Sequence, residues 1–180
     1  MEALAAPGVF NFLASAIESP PSDPRLRNTI EIFSLGTLLH YHRHRDHCLD
    51  LDATLAAKLL QLTLISISNE CDGLKVPITQ LAEQYGIPTT VELDRAIIYM
   101  VDHKYVDMTI AGDSLVIGPA LVYRDSYDPE IYQLQLLSEE EVAARSVPLA
   151  KDNLQHWFDH QVAPLRQEFV ASSKKRKPSQ

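Results

Sequence analysis

The sequence is poor in the residues that usually announce a chemistry. It has two cysteines, one tryptophan and six glycines in 180 residues. Two lone thiols, Cys48 and Cys71, exclude a disulfide scaffold and fit a reducing compartment. The glycines are scattered singly, which excludes a collagen repeat, a dinucleotide fingerprint and a phosphate loop. There is no Gly-x-Ser-x-Gly elbow, no His-Glu-x-x-His and no Cys-x-x-Cys. No apolar run reaches the roughly 18 residues of a membrane span. The longest, 59–67, is interrupted by Gln61 and Thr63. The first residues, Met1-Glu2-Ala3-Leu4, lack the basic region of a secretory signal. The expectation is an intracellular, cytoplasmic, non-enzymatic protein that spans no membrane and needs neither cofactor nor metal.

Apolar residues make up 46% of the chain, enough for a core, and the formal net charge is −8. That charge is unevenly spread. The run Lys174-Lys175-Arg176-Lys177 is wholly basic, so residues 1–173 carry −12. Such a run serves as a nuclear import address in a nucleated cell, as a nucleic-acid patch, or as a plain solubilising end. A disordered tail is expected at 173–180.

Along the chain, residues 3–18 are weakly helical, with Pro7 and Gly8 interrupting. Ser19-Pro20-Pro21-Ser22-Asp23-Pro24 is loop chemistry, and Asp23 before Pro24 suits a helix start. One helix is predicted over 24–45, weakened at Gly36. Asp52 caps a second, apolar on two faces, that runs to about Cys71 and stops at Asp72-Gly73. Lys75-Val76-Pro77-Ile78 reads as a short edge strand. Thr79 is predicted to cap a helix through Tyr85, with Gly86 at its C-terminal turn. Thr89 with Glu92 fits a capping box for a helix to about His103, whose inner face is Leu93, Ile97 and Met100. The period then switches to two: Val106, Met108 and Ile110 face one way. Ala111-Gly112-Asp113-Ser114 is a hairpin turn before a returning strand, Leu115-Val116-Ile117. Residues 119–137 read as a loop. Ser138 followed by Glu139, Glu140 and Glu141 starts a helix, which Pro148 breaks or restarts. A last helix covers 150–171, kinked at Pro164, with Leu154, Trp157, Phe158, Val162, Leu165 and Phe169 as its apolar stripe.

The order over residues 52–118 is helix, strand, helix, turn, helix, strand, hairpin turn, strand. It resembles the winged-helix form of the helix-turn-helix superfamily. The resemblance implies a mainly α fold with a small β-hairpin wing and a central winged helix flanked by N- and C-terminal helices. The organisation read from it is an N-terminal helical segment (1–48), the winged-helix domain (49–120) and a C-terminal linker with helices (121–172). By the resemblance, residues 90–103 stand in the place of the recognition helix, and residues 111–114 form the wing tip.

Charge decides how that helix is read. Residues 49–120 hold ten acids and four bases, a local net of −6. Nucleic-acid binding draws affinity from Lys and Arg on phosphates. The leading expectation is therefore a non-catalytic adaptor or scaffold subunit of a multi-protein complex. Its partner is another protein subunit or a second copy. Acidic winged helices of this kind look like those used as adaptors in large assemblies, such as the small partners of chromosome-organising ATPases. The alternative is a dimeric DNA-binding transcriptional regulator. The candidate contact residues are Thr89, Thr90, Glu92, Arg95, Tyr99 and Lys104 on and around the helix. Trp157 and Phe158 join them from the last helix. Two His clusters, His40/His42/His44/His47 and His156/His160, have helical i, i+4 spacing. Interleaved arginines and the absence of a ligand motif favour solvated helix ends over metal binding.

Overall fold

The computed structural model describes residues 2–163. Pro7 and Gly8 split the N-terminal segment into α1 (Glu2–Ala5) and α2 (Leu13–Glu18). The Asp23 carboxylate accepts the Arg25 amide at 2.9 Å and opens α3 (Pro24–Leu35), with Pro24 in the first turn as expected. The single helix predicted over 24–45 is not formed. Gly36 adopts extended dihedrals (φ −89°, ψ −175°), and α4 (Leu38–Arg43) begins afresh after Thr37. The restart is held by His40, whose Nδ1 accepts the Thr37 amide at 3.0 Å. This is the Glu/Gln role of a capping box taken by a histidine.

Asp52 accepts the Leu55 amide and starts the 19-residue α5 (Ala53–Cys71). Its two apolar faces are both used. Leu59, Leu62, Leu64, Ile65 and Ile67 are fully buried, and α5 packs on the sheet, on α4 and on the helix described below. β1 (Lys75–Pro77) leads directly into α6 (Ile78–Tyr85). Thr79 does not cap that helix; Pro77 precedes it without a side-chain cap, and the Ile78 amide bonds to Asp113 O across the sheet end instead. Gly86 ends α6 with φ 72°, as its placement suggests. α7 (Val91–Asp102) starts from Thr90, not from the predicted Thr89. The Thr90 hydroxyl donates to the Glu92 carboxylate and caps no backbone amide.

β2 (Val106–Ala111) and β3 (Ser114–Ala120) form the expected hairpin, and β3 runs three residues past its predicted end. The sheet is antiparallel, in the order β1-β3-β2, so β1 is an edge. Val106 and Met108 point into the core, but Ile110, expected on the same face, is 37% exposed. Ser138 and Glu141 form a full capping box on α8 (Glu139–Val142). Ser146 then caps α9 (Val147–Trp157), with Pro148 in its first turn; the helix begins three residues before the expected start and passes into a π turn, Phe158–Val162. Pro164, Leu165, Phe169 and the basic tail lie outside the described residues.

The described residues are thus mainly α with one small three-stranded sheet. None of their helices is long and apolar enough to cross a membrane.

Buried polar groups tie the sequence ends to the centre. Glu31 on α3 is fully buried and accepts the Tyr132 hydroxyl and the amides of Gln135, Leu136 and Leu137. Asp125 accepts the amides of Phe12 and Leu13, which anchors α2. Lys58 on α5 is 3% exposed; its Nζ donates to Ala6 O at 2.9 Å and lies 4.4 Å from the Phe10 ring centroid. Neutral hydrogen-bond partners and, for Lys58, an aromatic face offset the cost of burying these charges.

Candidate functional site

α5 carries small residues at Ala53, Ala56 and Ala57, followed by Leu60, at i, i+3, i+4 and i+7. This is one helical stripe. The small side chains leave space above it that the neighbouring elements do not fill. The space is an open groove of about 770 Å³, walled by this stripe, by Leu38 and His42 of α4, by Gly86 and Pro88, and by Glu92, Arg95, Ala96 and Tyr99 of α7. Its lining is mostly apolar, with the charges of Glu92 and Arg95 on one wall. Such a concave apolar surface with a few polar groups is the ordinary form of a binding site.

Three of the predicted contact residues, Glu92, Arg95 and Tyr99, meet in this groove. Tyr99 is set by His103 on the next turn: the ring centroids are 4.1 Å apart, and His103 Nδ1 lies 2.9 Å from Tyr99 O. Tyr99 also approaches Tyr105, at 6.3 Å between centroids. Glu92 is fully exposed, and the Thr90 hydroxyl bonded to its carboxyl holds it below the usual carboxylate range.

The remaining candidates lie elsewhere. Thr89 and Thr90 are exposed at the start of α7 without lining the groove. Lys104 is exposed beyond its end, in a left-handed conformation with φ 57°. Trp157 at the end of α9 and Phe158 in the π turn after it are 54% and 41% exposed, near Leu154 at 65%. An apolar stripe that the sequence allows as core is therefore open to solvent among the described residues.

The outward face of α7 is itself informative. Val91 and Ile98 are each 58% exposed, alternating with Asp94 and Asp102. A face built to track phosphates would carry Lys and Arg there.

The histidines have local roles. His40 is the α4 cap, and His44 Nε2 lies 3.7 Å from a Glu141 oxygen that Arg43 also pairs with. His156 on α9 and His160 in the π turn are exposed and stack with centroids 4.0 Å apart. Among the described residues no three His, Cys, Asp or Glu side chains are grouped to hold a metal ion.

Sequence reasoning missed the α5 wall of the groove. The signal was present: an Ala-Ala-Leu stripe on a helix otherwise filled with Leu and Ile. No protein-family model matches the chain, and no curated protein matches it significantly.

Proposed function

We propose that the chain is a non-catalytic protein-interaction subunit of a multi-protein complex, built on a winged-helix arrangement over α5, β1, α6, α7, β2 and β3. The element order and the antiparallel β1-β3-β2 sheet support that arrangement. The groove between α4, α5 and α7 is the docking site. Its occupant is an amphipathic helix of another protein with an apolar ridge and basic flanks. The ridge fits a wall of alanines, because small side chains let a second helix approach closely. The basic flanks answer the local net charge of −6 over residues 49–120. The observation that carries the reading is the meeting of Glu92, Arg95 and Tyr99 over the apolar α5 stripe.

A pull-down from native cells with wild-type and Ala57→Glu chains tests this, followed by reconstitution with the purified protein recovered. Ala57 is exposed in the groove wall, so the change spares the fold. The expected result is at least about tenfold weaker association of the variant, the cost of placing a charge in an apolar contact. Retention of residues 1–173 on duplex DNA at about 100 mM salt would overturn the reading in favour of a regulator. Arg95→Ala with Lys104→Ala would then abolish retention.

A further inference from the structure

A guanidinium inside a protein is costly unless its N–H groups find acceptors and its charge finds a counter-ion. Two neighbouring arginines only partly meet that condition. Arg124 is 7% exposed. Its Nη1 donates to Leu62 O and Ser66 Oγ, and its Nη2 to Phe33 O and Ser34 O, all neutral acceptors. The Arg145 side chain is 9% exposed; its Nη1 reaches Gly36 O and the same Ser66 Oγ. Its Nε stands 3.7 Å from a Glu70 oxygen, too far for a hydrogen bond. Among the described residues the Nε–H of neither arginine has a partner. Burial pushes both groups below the ordinary arginine range, and the Arg145 charge lowers Arg124 further, while Asp125 and Glu70 act in the opposite direction on Arg124.

Two carboxylates stand nearby, Glu70 beside Arg145 and Asp125 next to Arg124, and both also accept neutral donors. Glu70 takes the Tyr85 hydroxyl at 2.9 Å. Asp125 takes the amides of Phe12 and Leu13 at 2.6 and 3.0 Å.

Both arginines line a second cavity of about 420 Å³, which shares no residue with the groove. Lys151 lines it too, and Ser146, Val147 and Ala150 bring in the first turn of the 11-residue α9. A helix N-terminus carries partial positive charge. The lining therefore sets three cations and a helix N-terminus against a single carboxylate, Asp125, in a chain of net charge −8. Tyr123 and Leu154 add apolar surface to the same lining.

We infer that this cavity binds a small organic anion, a carboxylate or phosphate carrying an apolar group. The anionic end adds counter-charge to a cluster of three cations that has only Asp125 and Glu70 beside it, and it offers acceptors near two Nε–H groups that have none among the described residues. The apolar end packs against Tyr123 and Leu154. The site is independent of the docking groove, so the two readings stand or fall separately.

The test is a titration of the full chain with inorganic phosphate and with phenyl phosphate, at ionic strength held constant with sodium chloride. Nitrogen NMR of the arginine Nε–H signals gives the readout. The expected result is a saturable shift of two Nε–H signals, with phenyl phosphate about tenfold tighter than inorganic phosphate because it also buries a ring. Lys151→Glu, at an exposed position, should weaken binding at least about tenfold with the melting temperature unchanged. The absence of a saturable shift beyond chloride overturns the site. Equal binding by Lys151→Glu overturns it as well. Equal affinity for the two phosphates overturns the apolar half of the inference.

Discussion

The buried carboxylate of Glu31 accepts the Leu137 amide at 2.7 Å, across 106 positions of sequence. The same side chain accepts the amides of Gln135 and Leu136 and the Tyr132 hydroxyl. Four donors converge on two oxygens, so a carboxylate suits the site and an amide does not. Glu31→Gln points an N–H₂ at amides that can only donate. It should cost about 3 kcal/mol, measured by urea unfolding, because buried donors lose a charged acceptor. Hydrogen exchange should quicken first at residues 132–137.

Acid should act through His40. Burial is the main cause that lowers its pKa to about 4 from the ordinary 6.5; Arg145 adds to this, while Glu141 opposes and Arg43 and His44 reinforce it. The unfolded chain therefore takes up a proton before the folded one does. The contribution of the neutral ring is fully present above pH 6.5 and is lost as pH falls towards 4. The loss should be at most about 3 kcal/mol. Protonation also removes the lone pair that accepts the Thr37 amide. Unfolding free energies across this range should show the slope, and His40→Gln should flatten it.

Gly86 is irreplaceable for two reasons. Its φ of 72° is a left-handed conformation that costs an L side chain about 1 kcal/mol. A Cβ there would also stand 2.7 Å from Leu39 N, a backbone atom that cannot swing aside. Gly86→Ala should lower stability by at least about 2 kcal/mol in thermal or denaturant unfolding. Since Gly86 also lines the groove, the variant should weaken any association made through the proposed docking site even where it remains folded.

The chain has a single tryptophan, Trp157, which is 54% exposed. Its emission should be red-shifted in the folded protein and should move little on unfolding. Trp157→Ser should change stability by no more than about 0.5 kcal/mol. A core tryptophan would instead cost several times that.

Much of the fold could be read from local chemistry. Asp23, Asp52 and Ser138 cap the helices they were expected to cap, Gly86 turns where a left-handed residue was needed, and the change of period at Val106 marks the hairpin. Each signal acts within a few residues, so sequence displays it. The break after Leu35 escaped because its cap is a histidine, which the usual capping pattern does not include. The buried charges of Glu31, Lys58, Arg124 and Arg145 escaped for a different reason. A lone charge looks solvated until its partners are known, and most of theirs lie more than 50 positions away. For the candidate site, the α7 wall was visible as a helix with unusual charge. The opposing α5 wall was not, because alanine announces nothing until a neighbour fails to cover it.

The long-range polar contacts carry a consequence for synthesis. Residues 12–36 place amides, carbonyls and the Glu31 carboxylate in positions whose partners are Arg124, Asp125, Tyr132 to Leu137 and Arg145. A chain leaving the ribosome from its N-terminus can form α3 and α5 early, yet these groups wait until residue 145 has emerged. Until those residues emerge the Glu31 carboxylate cannot be buried without leaving it unanswered, so the early helices should stay open through most of translation and pack late.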